Sequence, residues 1–257
     1  MTGLSAQRQY AELTASTQLI AGLIDGADLG RPVPTCPDWT LRQLATHVGR
    51  AHRWAAEIVA VRSAGFIPFR SVPDGRFPDD PAQQADWLAA GADRLIDAVR
   101  AAGEDPVWAF GRQRPAPFWA RRMAHETAVH RADAQIAAGQ APVIDADIAA
   151  DGIDEWLMEV SVPAGSEPDP RLAALAEGQS LHVHATDGPA GAGEWLIRRD
   201  QAGVQARREH GKADVALRGG ASDLLLVLMN RLPAENHGAA VLGDSAVLSR
   251  WLAGTRF

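Results

Sequence analysis

The sequence predicts an α+β protein of two domains, a four-helix bundle followed by a small antiparallel sheet covered by helices. Three observations predict it. Apolar residues recur at helical spacing through the first 140 or so positions, and after residue 180 the period drops to two. Between them lies Val162-Pro163-Ala164-Gly165-Ser166-Glu167-Pro168-Asp169-Pro170, whose composition reads as a linker. At 257 residues the chain is also long enough to bury two small cores. The expected domains are residues 1–161 and 172–257.

The first helix is expected over about 4–25, with Leu13, Leu19, Ile20, Leu23 and Ile24 on its buried face and a stop at Gly26. Thr40 and Gln43 form a capping box that starts the second helix at Leu41, and it runs to about residue 63. Leu41, Leu44, Ala45, Val48, Ala51, Ala55, Ile58 and Val59 are its apolar stripe. Asp79-Asp80-Pro81 opens a third helix over 82–102, closed by Gly103. The fourth covers 116–138 and ends at Gly139, and a fifth covers 145–161. Residues 65–78 form a long loop with three Phe residues, which reads as a wall or lid of a pocket. Beyond the linker, strands are expected at 181–186, 195–198, 204–207 and 213–217, then helices at 221–231 and 244–254.

Bulk properties narrow the function. A net charge of −7 gives no electrostatic footprint for nucleic acid. The sequence contains no run of 18 apolar residues, and its start lacks a basic-then-apolar signal pattern. The single cysteine, Cys36, excludes an internal disulfide and suits a reducing compartment. A soluble, cytoplasmic protein directed at small molecules, monomeric or homodimeric, is the expectation.

The stretch richest in chemistry is Arg121-Arg122-Met123-Ala124-His125-Glu126-Thr127-Ala128-Val129-His130-Arg131-Ala132-Asp133. On a helix, four residues advance about 400°, so Glu126 and His130 share a face and can grip one divalent ion. His125 and His130 are five apart, about 140° past one revolution, so they cannot share a metal as the two histidines of a zinc protease do. Two ligands alone hold a metal weakly. The best third candidate is His47, at the flank of the second helix's stripe on a strip with Ala51 and Trp54, whereas His52 points nearer the stripe's middle. The ordinary reading of either histidine is a core residue bonded to backbone, and at this point both readings stand.

Cys36-Pro37-Asp38-Trp39-Thr40 with the His47 helix, and later His125-Glu126-Thr127-Ala128-Val129-His130-Arg131-Ala132-Asp133-Ala134, resemble the mycothiol-dependent maleylpyruvate isomerase family. The likeness continues through Leu181–Asp187, Gly193-Glu194-Trp195-Leu196, Ala213–Gly219 and Leu242-Gly243-Asp244, nearly the whole chain. It implies a DinB-like four-helix bundle with a C-terminal α+β domain, and metal ligands at His47, Glu126 and His130. One lysine, Lys212, among 25 basic residues, with many Ala, Gly, Pro and Arg, fits the GC-rich actinobacteria in which that family occurs.

Two His and one carboxylate leave an open metal position, zinc being the expected ion. In the family that position serves the thiol of mycothiol, which a metal deprotonates at neutral pH. The thiolate adds to a conjugated double bond, the resulting single bond rotates, and elimination gives a cis-trans isomerase; attack with a leaving group gives an S-transferase. An anionic electrophile needs a cation. Arg122, one turn before Glu126, is the first candidate, and Arg231 of Asn230-Arg231, where the family often carries Gly-Arg, is the second. Arg121 and Arg131 read as exposed-face salt bridges. Asp133, three residues after His130, is placed to accept the free ring N–H of that ligand. The alternatives are a non-catalytic metal- or thiol-binding protein and a non-haem iron enzyme, since the same donors form a facial triad. Cys36, before a proline and a helix cap, reads as a packing residue rather than a nucleophile. His182 and His184 share a strand face but read as sheet-surface histidines, with no third ligand in evident reach.

Overall fold

Helix α1 (Ala6–Ile24) begins where the Ser5 side chain accepts the backbone N–H of Arg8. The structure is a computed structural model that describes residues 3–160, 174–188, 193–235 and 238–255. The chain divides into two compact units, Leu4–Pro142 and the chain from Val143 onward. The predicted linker, 162–170, lies outside the described residues.

In the first unit, α1 buries Leu13, Ile20 and Ile24, whereas Leu19 is 49% exposed, against expectation. The buried turn positions are taken instead by Gln9, Glu12, Ser16 and Thr17, polar residues that apolar periodicity does not register. Helix α2 (Leu41–Ala60) starts at the expected capping box: the Thr40 backbone N–H donates to Gln43 Oε1 at 2.8 Å, and the Thr40 side chain accepts from the Gln43 backbone. Its whole predicted stripe is buried. A 3-10 turn at Pro81–Gln83, capped by Asp80, leads into α3 (Gln84–Ala102). Helices α2 and α3 pack closely because Gly49 has no side chain: a Cβ there would fall 2.0 Å from the Trp87 ring. Arg53 lies over that ring at 4.1 Å from its centroid.

Helix α4 (Pro117–Ala137) packs against α1 and α2 and buries residues on nearly every side, including His125, Thr127, His130, Arg131 and Asp133. A helix buried all round should be apolar; here its buried polar groups find partners inside the protein, as Thr127 does with His52 and with the Met123 carbonyl. Before it stands a hairpin absent from the sequence expectation, β1 (Pro106–Ala109) and β2 (Arg112–Pro115). Its two-residue turn has positive φ at both Phe110 (47°) and Gly111 (84°). Phe in that first position, and a proline at each end, hid it. The 65–78 loop folds onto α2: Trp54 Nε1 donates to the Ile67 carbonyl at 2.7 Å, and Phe69 stacks on Trp54 at 4.7 Å.

The second unit holds α5 (Ala146–Val160), β3 (Ser180–Ala185), β4 (Glu194–Asp200), β5 (Gly203–Arg207), β6 (Val215–Gly219), α6 (Ala221–Leu228), β7 (Ala240–Gly243) and α7 (Ser245–Gly254). The sequence reading places α5 at the end of the first domain; it packs on α6, and its Asp154 accepts from Trp195 Nε1 at 2.6 Å and pairs with Arg208. Strand order is β5-β4-β3-β6-β7. Three of the four pairings are antiparallel, but β3 and β6 run parallel, because the 208–214 segment carries the chain back across β4 and β3. Strand β7 escaped prediction because its residues are mostly exposed and carry no alternation. Helix α6 stops three residues early, with Asn230 at φ 57° turning the chain. Leu181, Val183, Trp195, Ile197, Val215 and Leu217 are buried beneath the helices. Among the described residues no helix is long and apolar enough to cross a membrane.

Candidate metal centre

Helix geometry brings Glu126 and His130 onto one face of α4, and α2, packed beside it, supplies His47. One donor atom from each lies within 4.8 Å of the others. The arrangement is directional. His47 Nε2 is 3.1 Å from Glu126 Oε1, and His130 Nε2 is 3.9 Å from that same oxygen. The other oxygen, Glu126 Oε2, accepts from Arg122 at 2.6 Å. Both imidazoles thus face one carboxylate oxygen while a guanidinium holds its twin. Burial pushes the Glu126 carboxyl up, but the Arg122 charge, the hydrogen bond from His47, and the charges of His130 and His47 outweigh it. The net effect holds Glu126 well below the usual carboxylate range.

The opposite edge of His130 is anchored. Its Nδ1 lies 2.9 Å from Asp133 Oδ2, and Asp133 is fully buried. Asp133 also accepts the Thr35 hydroxyl at 2.5 Å and the Cys36 thiol at 3.3 Å. An ionised Asp133 keeps the proton on Nδ1 and leaves the Nε2 lone pair toward Glu126 and His47. Cys36, His130 and Asp133 also lie close enough to form a donor set. That set would need the Nδ1 edge and a carboxylate already accepting three hydrogen bonds, so the geometry favours the Nε2 side.

Trp39 is a site residue whose place the sequence did not reveal. Its ring lies 4.9 Å from His47 and stacks at 5.8 Å on His130, walling both imidazoles. The available signal was its position one residue before the helix cap. His52 is fully buried, with Nε2 2.8 Å from Thr127 Oγ1, and the Thr127 hydroxyl donates to the Met123 carbonyl. Burial first, then the Arg53 charge, lower its pKa to about 3. His125 is buried and joins none of the donor clusters among the described residues.

Further along the α2 and α4 faces, two turns from His47 and Glu126, Trp54 and Trp119 meet at 5.1 Å, joined by Phe66, Phe69 and Trp108. At 1.5 Å per residue, that aromatic cluster begins about 10 Å along the helices from the donors.

Of the arginines, Arg122 is paired with Glu126. Arg131 is not on an exposed face as expected: it is 7% exposed and lies 3.7 Å from buried Glu12 of α1. Arg121 is half-buried. Arg231 belongs to the second unit, where it donates to the Met229 carbonyl at 2.8 Å. The His182–His184 pair does have further ligands in reach, Glu194 and His210.

Known proteins share this architecture. The sequence model of the mycothiol maleylpyruvate isomerase N-terminal domain matches residues 10–135. That of the C-terminal domain of the same isomerase matches residues 147–250. Among solved structures, the crystal structure of the mycothiol-dependent maleylpyruvate isomerase is similar at a TM-score of 0.61 and 16% identity, over 94% of this chain and 95% of that one. A mutant of that isomerase with one histidine replaced by alanine gives a TM-score of 0.60 at the same identity and coverage. A DinB-like protein from Bacillus cereus gives 0.41 at 18% identity, over 54% of this chain and 94% of that one. No curated protein matches the sequence.

Proposed function

We propose, from the premise that the chain belongs to the mycothiol-dependent maleylpyruvate isomerase family, that it is a metal-dependent enzyme activating the thiol of mycothiol toward an electrophilic small molecule. The observation that carries this is the convergence of His47 Nε2 and His130 Nε2 on the single oxygen Glu126 Oε1, with Arg122 holding Oε2 and Asp133 holding His130 Nδ1. This donor set fits a divalent ion, zinc first, and leaves a fourth position open. Such an ion supplies Lewis acidity, lowering the pKa of a bound thiol so that a nucleophile exists at neutral pH.

The chain's own residues do the remaining work. Asp133 fixes the tautomer and orientation of His130. Arg122 keeps Glu126 ionised and turned, and its positive charge favours an anionic electrophile. Trp39 covers the two imidazoles and keeps water from one side, and the Trp54–Trp119 cluster offers an apolar wall. Arg231 is proposed to meet an anionic group of a substrate. Addition to a double bond conjugated to a carbonyl, rotation and elimination give isomerisation; addition without elimination gives S-transfer.

Metal content and mycothiol consumption, measured together, test the reading. Protein prepared without an affinity tag should carry a divalent ion in the bundle, and single alanine variants of His47, Glu126 or His130 should carry one equivalent fewer and lose turnover. Folded variants that keep full metal content would sink the proposal. Arg231→Ala should raise KM for an anionic electrophile while leaving metal content unchanged.

A further inference from the structure

Strands β3 and β4 pair with His184 opposite Glu194 and His182 opposite Leu196. Alternate residues of a strand share a face, so His182, His184 and Glu194 stand on one face of the sheet. The other face, with Leu181, Val183, Trp195 and Ile197, is the buried core. From the edge strand β5, segment 208–214 must cross β4 and β3 to reach β6. It crosses at close range: a Cβ on Gly211 would stand 2.9 Å from Leu196 Cδ2, a residue on the face of Glu194 and His182. This crossing delivers His210 to the two strands.

The outcome is a carboxylate ringed by imidazoles. Glu194 Oε2 lies 2.6 Å from His210 Nδ1 and 3.3 Å from His182 Nε2, and Glu194 Oε1 lies 3.8 Å from His184 Nε2. The His182 and His210 rings meet edge-on at 5.4 Å. His182 is 5% exposed, and its Nε2 points into this cluster with no hydrogen bond of acceptable geometry. A buried imidazole nitrogen left so is costly unless something else binds it.

We infer that His182, Glu194 and His210 form a second site for a divalent transition metal, with His184 as a fourth donor. The donor atoms of His182, Glu194 and His210 lie within 4.8 Å of one another, and His184 Nε2 is 3.8 Å from Glu194 Oε1; those of a tetrahedral zinc complex stand about 3.3 Å apart, so side-chain rotations close the site. Imidazole nitrogens with one carboxylate suit zinc and its neighbours rather than calcium or magnesium. Arg218, in register with His184 on β6, is exposed and adds positive charge to this side, which makes Glu194 the decisive ligand. Four protein donors would leave no open position, so the ion serves structure. It fastens the 208–214 crossing to β3 and β4, and its binding energy becomes folding energy of this unit. The site is independent of the activity proposed for the bundle.

The test is a cobalt(II) titration of the full chain carrying His47→Ala and Glu126→Gln, which dismantles the donor set of the first unit. One equivalent should bind, with the visible absorption of tetrahedral cobalt(II) and a rise in Tm. Adding Glu194→Gln should abolish the equivalent, the absorption and the rise in Tm. His210→Ala, at a side chain 78% exposed and therefore harmless to folding, should do the same. No equivalent bound in the starting variant, or one that survives either substitution, would overturn the inference.

Discussion

Two imidazoles and a carboxylate converge in each unit of this protein, but they are held by different means. In the bundle, two donors come from one helix a single turn apart, and the third from the adjacent helix. Two of them are fixed from behind, His130 by Asp133 and Glu126 by Arg122. In the sheet unit the donors come from two paired strands and a crossing segment, and His210 is largely exposed. The bundle donors are held in place by their own neighbours, whereas the sheet donors would be gathered by the ion inferred for them. The difference teaches that preorganisation leaves an open metal position usable for chemistry, whereas a site whose ligands must be gathered suits stabilisation.

The sharpest way to break this contrast is to remove the bundle carboxylate. Glu126→Ala should abolish the bundle's metal equivalent and lower mycothiol-dependent turnover by more than about 100-fold, beyond what loss of an outer partner costs. His210→Ala should leave that turnover unchanged. Equal losses in both variants, by metal analysis and steady-state assay, would erase the distinction.

Acid gives the next largest effect, and it belongs to the bundle. His52 has a folded-state pKa of about 3 against an ordinary 6.5. Between those values the unfolded chain binds a proton that the folded chain refuses. This contribution to stability is therefore fully present above about pH 6.5 and lost as pH falls toward 3, on the order of 5 kcal/mol in all. His52→Gln, which keeps a donor for Thr127, should flatten the Tm profile across this window. An unchanged profile would show that another group carries the acid response.

Asp133→Asn sharpens the comparison more finely. It keeps the shape but leaves the His130 tautomer unspecified, so metal affinity in the bundle should fall about 10–100-fold. Competition against a chelator of known affinity measures this; an unaltered Kd would make Asp133 a packing residue. Smallest of all, Cys36→Ser should leave turnover near the original value, because serine also donates to Asp133. Loss of turnover in a folded Cys36→Ser protein would make Cys36 the nucleophile.

How much was legible depends on the range of the interactions. The capping box at Thr40, the stripe of α2, and the pairing of Glu126 with His130 are decided by short helical spacings, so the sequence determined them. The same local reasoning placed Asp133 beside His130. Arg131 was misjudged because the partner that buries it, Glu12, lies on another helix. The β1–β2 hairpin, the parallel joint of β3 with β6, and the edge strand β7 depend on backbone pairing that leaves little trace in periodicity.

By itself, then, the sequence determined helix faces, caps and donors one turn apart, because helical geometry converts short spacing into proximity. Only the tertiary structure decided that Trp39, Thr35 and Cys36 gather around His130, that His47 meets Glu126, and that His210 comes to rest over Glu194. Those meetings depend on how separate elements come together, and which segments meet is set by packing and strand order, quantities no local spacing contains.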